Sequence, residues 1–149
     1  MYPNRAMRLA RISLLFALLA AGCSLQQARN NQLLKQWAAK CGEAADLLKT
    51  VQDVPSAKAA GPKLKVVLEE LNRINGLLEE SDDSEDVDLL SQRSTVEHVG
   101  QGIAEMQRLM EESLRIGKNR ELREALGESW ELLPAAALLD EEGNPKPGS

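Results

Sequence analysis

Apolar residues return along this chain at intervals of three and four, and that spacing admits few folds other than helical ones. The first run is Leu34, Trp37, Cys41, Ala44, Leu48 and Val51, spaced 3, 4, 3, 4 and 3 residues apart. Such spacing places all six on one helical face. Leu33, Ala38, Ala45 and Leu47 widen the stripe, as a helix buried in a globular body requires. A second run holds Leu64, Val67, Leu71, Ile74 and Leu78, flanked by Leu68 and Leu77. The third holds Val96, Val99, Ile103, Met106 and Met110, broadened late by Leu109, Leu114 and Ile116. A shorter fourth carries Leu122, Leu126, Trp130 and Leu133. No stretch alternates with period two for long enough to suggest a strand. The expectation is an all-α fold: an antiparallel bundle of three to four helices over residues 33–133.

Breakers divide the runs. Pro55 disfavours helix at Val54, and Gly61 followed by Pro62 reads as a stop and a fresh start with proline at the first helical position. Ser56 is placed to cap a short turn between them. "SAKAAGPKL" resembles segments of small helical bacterial proteins, a resemblance that implies no function. The third helix is expected to begin near Asp86–Asp88 and to reach about Ile116. "GKN" at 117–119 predicts a helix end with Asn119 as the next N-cap. Pro134 is expected to close the fourth helix, leaving 134–149 as a mostly disordered tail of which the "AAALL" part can dock. Gly100 and Gly102 each cost about 1 kcal/mol in a helix interior, and mark either a close helix approach or a weak point.

The beginning of the chain follows other rules. "MYPNRAMRLARISLLFALLAAGCS" opens with Arg5, Arg8 and Arg11 and has no acid in its first 22 residues. A mostly apolar run follows over residues 12–21. As a helix it spans roughly 15 Å, about half of a ~30 Å hydrocarbon core. That is too short for a permanent span and suits an export signal that is later removed. "LLAAGC", ending at Cys23, resembles the lipobox of bacterial lipoproteins. The resemblance covers residues 14–24 only. It implies cleavage between Gly22 and Cys23, with Cys23 as the lipid-bearing new N-terminus. The place three before the cysteine, usually leucine, holds Ala20, with Leu19 one step back. Ser24 follows, which in the family accompanies passage to the outer membrane in two-membrane bacteria. An ordinary signal cut after Gly22 is the alternative. Residues 23–32 then form the anchor cysteine and a polar tether, at most ~30 Å long if extended.

Cleavage would leave 15 Lys and Arg against 23 Asp and Glu, a net charge of −8 for the 127 residues from Cys23 onward. An acidic body is a poor match for nucleic acid, whose binding rests on neutralising phosphates. Tyr2 and Phe16 lie in the leader, so Trp37 and Trp130 are the only aromatics of the body, and stacking platforms for bases are missing. Membrane contact is therefore expected through the N-terminal lipid. If lipid occupies the Cys23 sulfur, Cys41 is an odd thiol. It is either a small core residue or a bridge between chains.

Signs of catalysis or of a cofactor are few. His98 is the single histidine and falls toward the outer face, without neighbouring ligands at metal-site spacing. Met106 and Met110 sit at i, i+4 like a copper-binding pair, but methionines on a seam fill cores. "EESDDSEDVD" at 79–88 carries seven acids. Read as a calcium loop from Asp82, its sixth and twelfth places hold Val87 and Arg93 instead of Gly and Glu; a solvated acidic loop is the simpler reading. Arg115, Lys118, Arg120 and Arg123 interleave with Glu121 and Glu124, which suits a salt-bridged surface better than an anion site. No nucleophile elbow or phosphate-cradling glycine loop occurs. The expected protein is a lipid-anchored helical lipoprotein of the cell membrane or outer membrane, facing the periplasm or exterior. It is expected to need no cofactor and to act as a binding or scaffold module with a protein partner. Self-association would run through helix faces or Cys41. The alternative is a periplasmic carrier holding a small ligand or metal in the bundle interior.

Overall fold

A computed structural model describes residues 28–82 and 93–146, with side chains at all of these except 81, 82 and 93–96. Cys23, the leader and most of the acidic segment after Asp82 lie outside the described residues. Among the described residues six helices pack together: α1 over 28–49, α2 Val54–Asp82, α3 Arg93–Gly117, α4 Arg120–Leu126, α5 Glu128–Glu131 and α6 Pro134–Leu138. Among the described residues the only extended pairing is an isolated bridge between Leu139 and Pro145. The all-α expectation holds.

α1 forms where its seam requires. Cys41, Ala44, Ala45, Leu48 and Val51 are buried, while Leu34 and Trp37 are half-buried. The tether expected over 23–32 is in part this helix: 28–32 are helical, and Asn30 is only 2% exposed with both amide atoms unpartnered. The C-terminal turn of α1 tightens through Thr50 N–H to the Leu47 carbonyl and Val51 N–H to that of Leu48. Arg115 completes the end from α3, donating to the Val51 carbonyl at 3.0 Å and to that of Leu48 at 2.8 Å. Carbonyls left over at a helix C-terminus favour a cation in this way.

α2 begins earlier than the Gly61–Pro62 break predicts and runs through it. Asp53 and Ser56 cap each other: Ser56 N–H donates to Asp53 Oδ1 at 2.9 Å, and Asp53 N–H donates to Ser56 Oγ at 3.0 Å. This reciprocal arrangement satisfies two otherwise orphaned donors and starts the helix at Val54. Pro55 then lies in the first turn, where a missing N–H costs nothing. Pro62 does sit in the helix interior. It and Lys58, whose carbonyl loses its helical donor, are both exposed, so water can serve that carbonyl. Ala57 and Ala60 are buried just before it, and the Gly61 carbonyl accepts from the buried Ser129 hydroxyl at 2.6 Å. This packing against α4 and α5 offsets a proline cost of about 3 kcal/mol.

α3 runs beside α1 in the same direction: Trp37 meets Gly102, Asp46 meets Arg108, and the end of α1 meets Arg115. Among the described residues no Cα of α2 comes within 8 Å of one in α3. The buried line of α3 is not its most apolar one. Gly102, Leu109, Ser113 and Ile116 face inward, Val99, Met106 and Met110 are half-buried, and Ile103 is 52% exposed. The expected seam is therefore rotated by about one residue. A Cβ at Gly102 would lie 2.6 Å from Trp37 Cζ3, so the indole can rest only on glycine, and this fixes which side of α3 turns inward. Ser113 tolerates burial by donating its hydroxyl to the Leu109 carbonyl at 2.6 Å.

The single fourth helix expected up to Leu133 is instead two short ones, α4 and α5, and α6 follows in the expected tail. Gly127, at φ 59°, ends α4, and its N–H reaches the carbonyls of Arg123 and Glu124. Pro134 opens α6 where it was expected to close a helix, because Leu133 before it is extended and proline suits the first helical position. The tail expected as mostly disordered over 134–149 is folded as far as Lys146. Ala135 and Leu139 are buried, and Lys146 N–H returns to the Leu138 carbonyl at 2.9 Å. Arg123 holds this return, donating to the carbonyls of Asp140 at 3.0 Å and Glu141 at 2.5 Å, with its guanidinium 5.8 Å from the Trp130 ring centroid.

Candidate functional site

An open groove of about 550 Å³ flanks the junction of α1 and α3. Ala38, Ala39, Gly42 and Leu47 line it from α1, with Ala38 buried against α3 and Gly42 covered by the Glu105 side chain. Glu43, Asp46 and Thr50 edge it from α1, and Gln101, Glu105 and Arg108 from α3. The parallel run of the two helices, set by the Trp37–Gly102 contact, brings these residues from positions some sixty apart in the chain to one trough.

Charge in the groove is organised around Arg108. Its Nη2 is 2.5 Å from Asp46 Oδ1 and its Nη1 is 2.5 Å from Glu105 Oε2. Those two carboxylates, Asp46 first, hold the guanidinium above its ordinary range. Lys40 Nζ lies 2.6 Å from Glu43 Oε2. These side chains are between 25% and 68% exposed, so solvent screens each pair and it adds little to stability. Behind the groove, Cys41 is fully buried and free. Burial, and then the Glu105 carboxylate, pushes its thiol up to about 11. Cys41 is thus a core residue, and a bridge between chains through it would require the core to open.

No family model, curated protein or solved structure matches this chain. What it can do must be read from its own residues.

The predicted attachment and cleavage residues, Cys23 and Gly22, lie outside the described residues. His98 is half-buried and not turned fully to solvent as expected. The described residues hold no cluster of three or more His, Cys, Asp or Glu placed to bind a metal ion, and none of their helices is long and apolar enough to cross a membrane. Met106 and Met110 pack against the core. The basic cluster is dispersed over three tasks: Arg115 closes α1, Arg120 pairs with Glu124 at 2.7 Å, and Arg123 clasps the tail. Periodicity alone does not reveal the groove. The available signal was the run of small residues at 38, 39 and 42 beside the acids at 43 and 46, which reads in sequence as an ordinary helix flank.

Proposed function

We propose that this chain is a lipid-anchored helical protein of the cell envelope that acts by binding or scaffolding and not by catalysis. The observation that carries the reading is "LLAAGC" behind an arginine-bearing apolar leader, with Cys23 as the acylated N-terminus. Several acyl chains, at ~0.8 kcal/mol per buried CH₂, hold a body firmly on a bilayer without any spanning helix. The body beyond the anchor is a bundle of three long helices, α1 and α3 side by side and parallel, closed by the short C-terminal ones. It rests on the periplasmic or extracellular side of the cell membrane or outer membrane, and the anchor concentrates its helix faces for a protein partner. Space for a partner supports this: the groove lies on the surface. The space between the helices is filled by Leu48, Leu64, Leu68, Leu109 and Ile116, each at most 1% exposed, which leaves an interior carrier little room.

Labelled palmitate fed to cells expressing the wild type or Cys23→Ala tests the anchor. Label is expected in the wild type alone, with the intact mass of the mature protein beginning at a modified Cys23. Equal labelling of both, or an unmodified mature N-terminus, would reject the reading.

A further inference from the structure

We infer that residues 28–36, the first turns of α1, form a releasable strap that peels from the body while the helix from Trp37 onward stays docked. The strap rests on the packing of α1; its use, as a tether of adjustable length, rests on the reading of Cys23 as the anchor.

α1 is held unevenly along its length. Between 28 and 36 only Asn30 and Leu33 are buried, Asn31 and Leu34 are half-buried, and the other five residues are exposed. Leu33 is not part of the continuous core, which takes in Trp37 at its margin and begins in full at Cys41. Further along, Cys41, Ala44, Leu48 and Val51 have no exposed surface, and Arg115 closes that end through the Leu48 and Val51 carbonyls. A segment with few buried apolar contacts opens at lower free energy than the core it adjoins.

Asn30 decides where release is easiest. It is 2% exposed, and neither Nδ2 nor Oδ1 has a hydrogen-bond partner. A buried amide without partners bears the full desolvation penalty of each group, and opening the turn returns both to water. At Trp37 the balance reverses. Its Nε1 is likewise buried without a partner, but the ring lies so close on Gly102 that a Cβ there would stand 2.6 Å from Cζ3. Lifting Trp37 strips an indole from its seat, whereas lifting Asn30 frees an amide to gain hydrogen bonds. Release therefore stops at Trp37. The nine residues 28–36 span about 14 Å as helix and about 31 Å extended. Opening them gives roughly 17 Å of added reach between Cys23 and the body, and an anchor pulls on the end of α1 that is held least.

Hydrogen exchange read by mass spectrometry on the full chain in detergent micelles tests the strap. Amides at 32–36 should exchange at least about tenfold faster than those at 41–48. Asn30→Leu, similar in volume, should raise protection at 32–36 by at least about fivefold and leave 41–48 unchanged. Asn30→Ala, too small to clash, should raise it as well, whereas alanine in place of a hydrogen-bonded asparagine lowers it. Gln32→Ala, exposed on the same turns, reports helix propensity alone and should change protection by no more than about twofold. Uniform protection along α1 overturns the strap. So does a loss of protection in Asn30→Ala, or an Asn30→Leu effect no larger than that of Gln32→Ala. Acylation at Cys23 is read separately by intact mass. An acylated chain with uniform protection loses the strap and keeps its anchor; an unmodified chain with the two-zone pattern keeps the strap and loses its use as a tether.

Discussion

Gly100→Ala and Gly102→Ala make the same chemical change two residues apart on α3, and only the first should stabilise the fold. A Cβ at Gly100 would meet nothing within 4 Å, and the residue is exposed. Alanine there gains the ordinary helix-propensity difference of about 1 kcal/mol, which for a domain of this size raises Tm by about 4 °C. At Gly102 the same gain applies, but the new Cβ would stand 2.6 Å from Trp37 Cζ3 and 2.8 Å from Cε3. Carbon atoms in contact prefer roughly 3.5–4.0 Å, so about 1 Å must be found by tilting the indole or parting the helices. Overpacking of that kind costs about 1–3 kcal/mol. Gly102→Ala should therefore be neutral to about 2 kcal/mol destabilising, and should separate from Gly100→Ala by about 1–3 kcal/mol. Urea unfolding followed by circular dichroism gives the two values. Tryptophan emission should shift in Gly102→Ala and stay unchanged in Gly100→Ala. If both variants are stabilised alike, Trp37 does not rest on Gly102 and the parallel setting of α1 and α3 loses its main support.

Cys41 sets an alkaline limit. Its thiol is held at about 11 against an ordinary 9.0, so the folded chain keeps a proton that the unfolded chain releases. Stability is full below pH 9 and falls as the pH rises from about 9 to about 11, by roughly 2–3 kcal/mol; Cys41→Ala should flatten this limb in urea titrations across that range. Arg115→Ala removes two hydrogen bonds to the carbonyls that end α1 and should cost about 1–2 kcal/mol. Arg115→Lys, without the planar fork, should recover less than half, and faster amide exchange at Val51–Asp53 would locate the damage. Arg123→Ala releases the Asp140 and Glu141 carbonyls and should open residues 139–146 to limited proteolysis while the rest of the body stays resistant. Unchanged proteolysis would show that the Leu139 contact and the Lys146 return suffice without Arg123.

Several elements were readable in advance because the energy behind them is local. The seam from Leu34 to Val51 and the second from Leu64 to Ile74 follow from one requirement, that a helix hide its apolar face. Asn119 caps α4, accepting from the Leu122 N–H at 3.3 Å, as "GKN" implies. The α2 start was misread because proline and glycine are strong local punctuation. A cap at Asp53, eight residues before Gly61, with Ala57 and Ala60 buried beyond it, outweighed them. The tail was misread because its order depends on Arg123, 17 residues back in the chain from Asp140.

Composition and spacing by themselves determined that this chain is helical and acidic, since hydrophobic periodicity and net charge need no knowledge of neighbours. Tertiary structure alone decided which side of α3 turns inward, since a single indole can lie only where a side chain is missing. It also decided that Ala38, Gly42, Asp46, Glu105 and Arg108 share one groove. That placement depends on two helices some sixty residues apart packing side by side, and no local pattern encodes it.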